Sequence, residues 1–203
     1  LGDRIALITT DAIVGRATVD ATNLVVAPGF IDVLSYEPNP YGVWYKIGDG
    51  VTTNLGMHGI KTPVDAKGFF AAYQGKNAPP VNYGGSFSDQ WYRDSIGVKS
   101  TPSASQISKL SDDLHTQLAN GWIGVAIDPE YSPSITYDEF VGLGHVAQRA
   151  DMPLFTHIRY SSPDPAGKSS LDAIDEVLKV ARETGVSLHI DHIPSMATHV
   201  MPQ

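Results

Sequence analysis

The chain has 203 residues, of which 42% are hydrophobic, enough to build the core of a globular α/β protein. Its 14 lysine and arginine residues stand against 22 aspartate and glutamate residues, so the formal net charge is −8. Because nucleic acids and anionic membrane surfaces attract basic patches, this balance argues against both as natural partners. The absence of cysteine excludes disulfides and thiolate metal ligands.

The sequence contains no apolar run long enough to span a membrane, so we expect no membrane segment. We expect a cytoplasmic protein, with a periplasmic or secreted location as the alternative. The chain opens at Leu1 instead of methionine, which predicts a processed or truncated start.

The first part of the chain predicts a small β element. Residues 4–8, 17–19 and 24–26 are short apolar runs separated by polar turns. We therefore assign residues 1–27 to part of a small β-sandwich domain that precedes the main fold.

From Pro28 onward, strand and helix patterns alternate. Predicted helices cover residues 103–120, 136–150 and 170–184, where apolar side chains recur at three- and four-residue spacing. The six predicted strands are short apolar runs without alternation, typical of parallel strands buried on both faces: residues 30–34, 51–55, 80–83, 123–127, 154–157 and 186–192.

This alternation predicts an α/β fold, either a TIM-like (β/α)8 barrel or a doubly wound sheet. Two features favour the barrel: histidines at the ends of several strands, and the lack of a glycine-rich phosphate loop after the first strand. A complete barrel needs eight strands and about 250 residues. We therefore expect residues 28–203 to form the N-terminal part of a barrel, with about six strands present and the last two missing.

Three of the seven histidines lie where predicted strands end. His58 follows the second strand, His157 closes the fifth and His192 closes the sixth. A catalytic zinc takes about three protein ligands, and three imidazoles meeting at one barrel mouth would supply them. Each histidine taken alone is more typical of a hydrogen-bonded rim residue. His115 and His145 lie in predicted helices, where a surface or packing role is expected.

The other polar candidates are less distinctive. His189 lies three residues before His192, and on an extended strand this spacing predicts that it faces the helical layer. Arg159 follows His157 by two residues and is a candidate to bind a substrate carboxylate, with a rim ion pair as an equal alternative. Asp128 and Glu130 follow the fourth strand and are candidates to line the barrel mouth, although a structural role is favoured. His199 lies in a predicted loop without an assigned role.

Four segments in the correct order carry a family resemblance. Residues 25–32, VVAPGFID, resemble the PGFID segment on the first barrel strand of the amidohydrolase superfamily. Residues 50–53 (GVTT) and 56–59 (GMHG) resemble the GVTT…GNCG segment of its N-acyl-D-amino-acid deacylase (D-aminoacylase) branch. Residues 156–159 (THIR) are similar to the branch's THxR segment, and residues 187–193 to its SHxK segment.

The chain also departs from that pattern. Leu34 and Tyr36 stand where the superfamily has the HxH pair of metal ligands, which indicates that one metal site is lost. Pro194 stands in place of the SHxK lysine, which holds the substrate carboxylate in the family. This second change argues against carrying over the specificity for acylated D-amino acids.

The resemblance implies a metal-dependent hydrolase of a linear amide, similar to the N-acyl amino acid deacylases, in which zinc-activated water attacks the amide carbonyl. Its single zinc would be held by His58, His157 and His192, with His58 at the position of the GNCG cysteine. The family's catalytic aspartate follows the eighth strand and has no counterpart in residues 1–203. The expected partners are a small-molecule substrate, such as an N-acyl amino acid, and the remaining part of the barrel.

Two other functions stay open. A non-catalytic barrel that binds a ligand or partner would explain Leu34 and Tyr36, which replace ligands with packing residues. A sugar-binding or sugar-cleaving barrel would use some of the nine tyrosines and three tryptophans. It ranks last because no pair of catalytic carboxylates can be assigned.

Overall fold

The structure is a computed structural model that describes residues 4–62, 64–162 and 164–196. Each of the paired strands runs parallel to its neighbour, in the orders β1-β2-β3 and β4-β5-β6-β7. The strands are Phe30–Asp32 (β1), Val51–Gly56 (β2), Asn82–Gly85 (β3), Phe87–Ser88 (β4), Val125–Ala126 (β5), Leu154–Thr156 (β6) and Leu188–Ile190 (β7).

Strands β3 and β4 follow one continuous course that links the two sheets. Only Ser86 separates them, and its backbone N–H donates to the carbonyl oxygen of Gly56 at 3.1 Å. The N–H of Phe87 then donates to Gly124 on the opposite side, at 2.9 Å. The chain therefore leaves β2 and joins β5 within two residues. When β3 and β4 are counted as one strand, the six predicted strands are confirmed. The third begins at Asn82, whereas the sequence predicted a start at residue 80.

Helices fill the connections between strands. The helices are Gly42–Gly48 (α1), Ala66–Ala72 (α2), Asp89–Ser95 (α3), Ala104–Ala119 (α4), Tyr137–Arg149 (α5), Ser170–Thr184 (α6) and Ile193–Met196 (α7), with a 3₁₀ turn at Gly75–Asn77. The three predicted helices are confirmed as α4, α5 and α6. Within the described residues, none of these helices is long and apolar enough to cross a membrane.

The ends of these helices follow from local sequence. Thr136 accepts a hydrogen bond from the backbone of Glu139, whose side chain accepts in return from the Thr136 N–H, so the two residues form a capping box. Helix α6 ends at Gly185, whose φ of 73° lies in the left-handed region that glycine adopts without strain.

The main core lies between the strands and the helices. Leu154 on β6 and Phe140 on α5 are fully enclosed there, together with Trp122. Leu188 and Ile190 on β7 pack against the same core. The strands thus form an arc backed by helices, and in the described residues β1 and β7 remain its two unpaired edges. The parallel α/β prediction is confirmed, and the described part of the barrel is open.

The three strands predicted ahead of the barrel are not formed. Among the described residues before Phe30, none is in a strand. Strand backbone needs a hydrogen-bonded neighbour, and no neighbouring segment pairs with this part. Its apolar side chains are correspondingly exposed, with Ile5 at 83% and Val25 at 92%. The short apolar runs were misleading because they carry β propensity without an available partner. The assignment of residues 1–27 to a β-sandwich domain stays a prediction.

Candidate metal centre

Five polar side chains meet where four parallel strands end. His58 follows β2, Asp128 follows β5, His157 directly follows β6, and Asp191 and His192 directly follow β7. Because these strands are parallel, their carboxyl ends share one edge of the sheet and bring the side chains together. We call these five residues the mouth cluster.

The structure brings together the three histidines that the sequence proposed as metal ligands. The ring centroid of His58 lies 5.5 Å from the ring centroid of His157 and 5.9 Å from that of His192. The His157 and His192 centroids are 4.5 Å apart. The Nδ1 atom of His157 and the Nε2 atom of His192 are only 2.7 Å apart, so they share a hydrogen bond. The three rings therefore converge, and metal ligation by His58, His157 and His192 stays a prediction.

Two buried carboxylates complete the cluster: Asp128, for which the sequence favoured a structural role over one at the mouth, and Asp191, which the sequence reasoning missed. Oδ2 of Asp191 lies 3.2 Å from Nδ1 of His58, and Oδ1 of Asp128 lies 3.7 Å from the same nitrogen. One ligand atom from each of these three residues lies within 4.8 Å of the others, a grouping able to hold a cation. The sequence feature that could have identified Asp191 is its position, because it directly precedes His192 at the end of a strand.

The local backbone fixes these side chains. Gly59 follows His58 with φ of 86°, and a Cβ atom at this position would lie 2.6 Å from Cβ of Ser88. The turn that presents His58 therefore requires glycine. The backbone N–H of His157 donates to Oδ1 of Asp128 at 2.9 Å, which ties the ends of β5 and β6 together.

Burial and mutual repulsion set the charges in the cluster. Burial, followed by the neighbouring His192 and His58, lowers the pKa of His157 to about 4. Burial raises the pKa of Asp128 to about 6. For His58, burial opposes protonation, but the hydrogen bond to Asp191 and the charge of Asp128 outweigh it and raise the pKa. His157 is therefore neutral at pH 7, the state in which an imidazole has a lone pair to donate.

A cavity of about 540 Å³ opens beside the cluster, within the size range of small-molecule sites. The ring of Tyr131 lies 4.5 Å from that of His157, and the ring of Tyr36 meets His58 edge-on at 6.2 Å. The lining residues are Tyr36, Glu37, His58, Gly59, Lys61, Gln90, Trp91, Asp128 and Tyr131. A ligand in this cavity therefore has direct access to His58 and Asp128.

Leu34 and Tyr36 contribute no metal ligand in the described structure. Leu34 forms an antiparallel bridge with Gly56 through its backbone. Tyr36 lines the cavity, and its carbonyl oxygen accepts a hydrogen bond from the hydroxyl of Tyr83. The mouth cluster is thus built from strands β2, β5, β6 and β7 instead of β1.

Arg159 is engaged away from this cavity. Its Nε donates to Oε2 of Glu176 at 3.0 Å, and its two terminal nitrogens donate to the carbonyl oxygens of Pro133 and Ile135. These contacts use all three guanidinium nitrogens. They agree with the alternative prediction for Arg159, an ion pair at the rim. Binding of a substrate carboxylate by Arg159 stays a prediction that no contact in the described residues supports.

His189 does not face the helical layer, so this prediction was wrong. Its ring lies 4.7 Å from that of Phe155, and its Nε2 lies 3.5 Å from Oδ1 of Asp191. The spacing rule failed because β7 ends at Ile190, and His192 lies in a turn with φ of 31°. The two histidines are therefore not on one continuous extended segment.

The remaining candidates have ordinary surroundings. His115 is exposed on α4 and His145 is half-buried on α5. Glu130 accepts a hydrogen bond from the hydroxyl of Ser161. His199 lies outside the described residues.

Solved structures of deacylases share this arrangement of strands and helices. The crystal structure of a D-aminoacylase, described as defining a novel subset of amidohydrolases, superimposes with a TM-score of 0.67 at 18% identity. The match covers 80% of this chain and 40% of that one. A D-aminoacylase structure concerned with the functional role of a binuclear metal center gives the same values.

N-acyl-D-glutamate deacylase from Bordetella bronchiseptica, complexed with zinc and a phosphonate inhibitor, matches with a TM-score of 0.66 and 21% identity. This match covers 79% of the chain and 39% of that structure. No protein-family model and no curated protein matches the chain. At this level of identity the likeness establishes the fold, which is the barrel of these amidohydrolases, and the chain spans about two-fifths of their length.

Proposed function

We propose that this chain contributes the metal-binding half of an amidohydrolase barrel that hydrolyses a linear amide, similar to the N-acyl amino acid deacylases. The observation that carries the proposal is the mouth cluster, in which three imidazoles and two buried carboxylates converge beside a small-molecule cavity. The shared fold with zinc-containing deacylases supports it.

The cluster suits a divalent cation such as zinc, which is bound by imidazole nitrogens and carboxylate oxygens. His157 Nδ1 and His192 Nε2 lie so close that two lone pairs would repel unless a proton or a cation lies between them. Asp128 and Asp191 are 2% and 0% exposed, so their negative charge needs a nearby positive partner. The residues therefore fit the ion electrostatically as well as by ligand type.

We assign His58, His157 and His192 as the ligands of one zinc ion. Asp191 faces Nδ1 of His58, so a proton on that nitrogen is held between them and the other nitrogen of His58 keeps its lone pair. A carboxylate beyond an imidazole in this way fixes the tautomer and the direction of the ligand. In the alternative ligand set, His58 binds the ion together with Asp128 and Asp191. The two sets share His58, and His157 is a ligand only in the first.

A bound zinc ion supplies a Lewis acid that polarises a carbonyl oxygen and makes water acidic enough to attack at neutral pH. The residues of the chain orient that chemistry. Tyr36 and Tyr131 enclose the cavity on either side of His58, which favours an apolar acyl group beside the cluster. No residue of the described chain is assigned as the proton-transfer group.

Metal analysis of the full-length protein tests this proposal. We expect about one zinc per chain, lost in His157→Ala and retained in the matched control His115→Ala, which removes an exposed histidine. Release of acetate from N-acetyl amino acids should follow zinc content. If His157→Ala keeps its zinc while His58→Ala loses it, the carboxylate ligand set replaces the histidine set. A folded wild-type protein that binds no zinc contradicts both.

Leu34 and Tyr36 support a second candidate, a barrel that binds a ligand without catalysis. Both positions lack a metal donor in the described structure, although the cavity beside Tyr36 is intact. This candidate predicts that amides bind in the cavity and are not hydrolysed even when the protein holds zinc. Single-turnover measurement with excess protein distinguishes the two functions, because it detects even slow cleavage.

A further inference from the structure

The cavity beside the mouth cluster has an uneven distribution of charge. Glu37 and Asp128 contribute carboxylates to its lining, whereas Lys61 is the sole lysine or arginine among the lining residues of the described chain. Of the lysine and arginine side chains in the described residues, Lys61 is therefore the one placed to meet a negatively charged part of a ligand in this cavity.

Lys61 is held in place at this edge of the cavity. Its ammonium nitrogen lies 4.0 Å from the ring centroid of Trp91, a cation–π contact. Its backbone follows Ile60, which is completely buried and whose N–H donates to the carbonyl oxygen of Ser86 at 3.1 Å. The ammonium group of this exposed lysine therefore has one defined contact, with the ring of Trp91, and its backbone lies just beyond His58.

The ammonium group of Lys61 also forms no ion pair with a carboxylate of the described residues. Glu37 is its neighbour in the lining, but Oε1 of Glu37 accepts the backbone N–H groups of Lys61 and Thr62, at 2.5 and 3.0 Å. These two donors partly compensate the charge of Glu37. The positive charge of Lys61 is thus left for a ligand.

We propose that Lys61 is a specificity-determining residue that binds the carboxylate of the substrate, while the amide bond lies against the mouth cluster. The inference rests on the proposed function, since it names the part of the amide substrate that the cavity recognises. It also accounts for a substrate carboxylate without Arg159, whose guanidinium nitrogens are already occupied by Glu176 and two carbonyls.

Binding of two achiral probes to the zinc-loaded, full-length protein tests the inference. N-benzoylglycine carries a carboxylate, and its primary amide is a neutral compound of nearly the same shape. Lys61→Met keeps the length of the side chain and removes its charge. A charge-assisted contact at an exposed position predicts about fivefold weaker binding of the acid, and binding of the amide within about twofold of wild type. Lys67→Met, an exposed lysine on α2 outside the cavity lining, is the matched control and should change neither.

The outcomes separate this inference from the proposed function. If wild-type protein binds the acid in a Lys61-dependent manner but cleaves neither probe, the role of Lys61 stands and the hydrolase assignment fails. If the protein cleaves amides but Lys61→Met weakens both probes equally, or neither, the role of Lys61 is refuted. Failure of the acid to bind wild-type protein refutes it as well.

Discussion

Replacing Asp191 with asparagine removes one negative charge from the mouth cluster and changes the shape of the side chain very little. Asp191 is completely buried, and its Oδ2 lies 3.2 Å from Nδ1 of His58. If Asp191 orients His58 as a ligand, its loss should weaken zinc binding about 10- to 100-fold, since partners of metal-bound histidines typically contribute this much. This range corresponds to about 1.4–2.8 kcal/mol. A direct ligand would cost more than the upper limit.

Zinc affinity is measured by competition with a chromophoric chelator at fixed pH, and urea unfolding without metal checks that the variant folds. Asp175→Asn is the matched control, because it makes the same chemical change at an exposed position on α6. Zinc affinity within about twofold of wild type in a folded Asp191→Asn protein would refute the orienting role. It would also argue against Asp191 as a direct ligand.

Three further predictions concern stability. Arg93→Met should lower the free energy of unfolding in urea by about 3–5 kcal/mol, because buried Glu139 loses its ion-pair partner 3.3 Å away. The control Lys109→Ala, which removes an ion pair at the surface, should change the free energy of unfolding very little. Gly185→Ala should cost about 1–2 kcal/mol, measured by the same method, because alanine is strained at φ of 73°. Burial, and then repulsion from Glu139, raises the pKa of Asp89, so the folded chain binds that proton more tightly than the unfolded chain does. Wild type should therefore lose stability relative to Asp89→Asn as the pH rises from about 4 to 7, and an equal difference at both pH values would contradict this.

The barrel strands and the long helices were predictable because their signals are local. Ser170–Thr184 matched its predicted bounds, since apolar spacing defines its buried face and Gly185 ends it. The course of β3 and β4 was less accessible, because the pairing of Ser86 and Phe87 with two different neighbours depends on tertiary hydrogen bonds. The strands predicted at residues 4–8, 17–19 and 24–26 did not form for the same reason, as strand formation depends on a partner that the pattern of one segment does not reveal.

The candidate centre was predictable only in part. Strand-end position identified His58, His157 and His192 as neighbours in space, and their rings do converge. The roles of Asp128 and Asp191 were not evident because loop carboxylates are usually exposed, and only the fold reveals that these two are buried against His58. Arg159 was ambiguous in sequence because Glu176, its ion-pair partner, lies on a helix 17 residues further along the chain.

The charge balance of the mouth cluster favours a metal-binding barrel over one that has lost its metal. Asp128 and Asp191 are almost completely buried, and their protonatable neighbours are His58, which faces both, and His189, whose Nε2 lies 3.5 Å from Oδ1 of Asp191. His157, with its pKa lowered to about 4, provides no positive charge at pH 7. Burying two carboxylates with only imidazoles as neighbours is costly, and a barrel retained only for packing would gain stability by replacing them with apolar residues. A divalent cation shared with the histidines would offset that cost, which gives the presence of both buried carboxylates a physical reason.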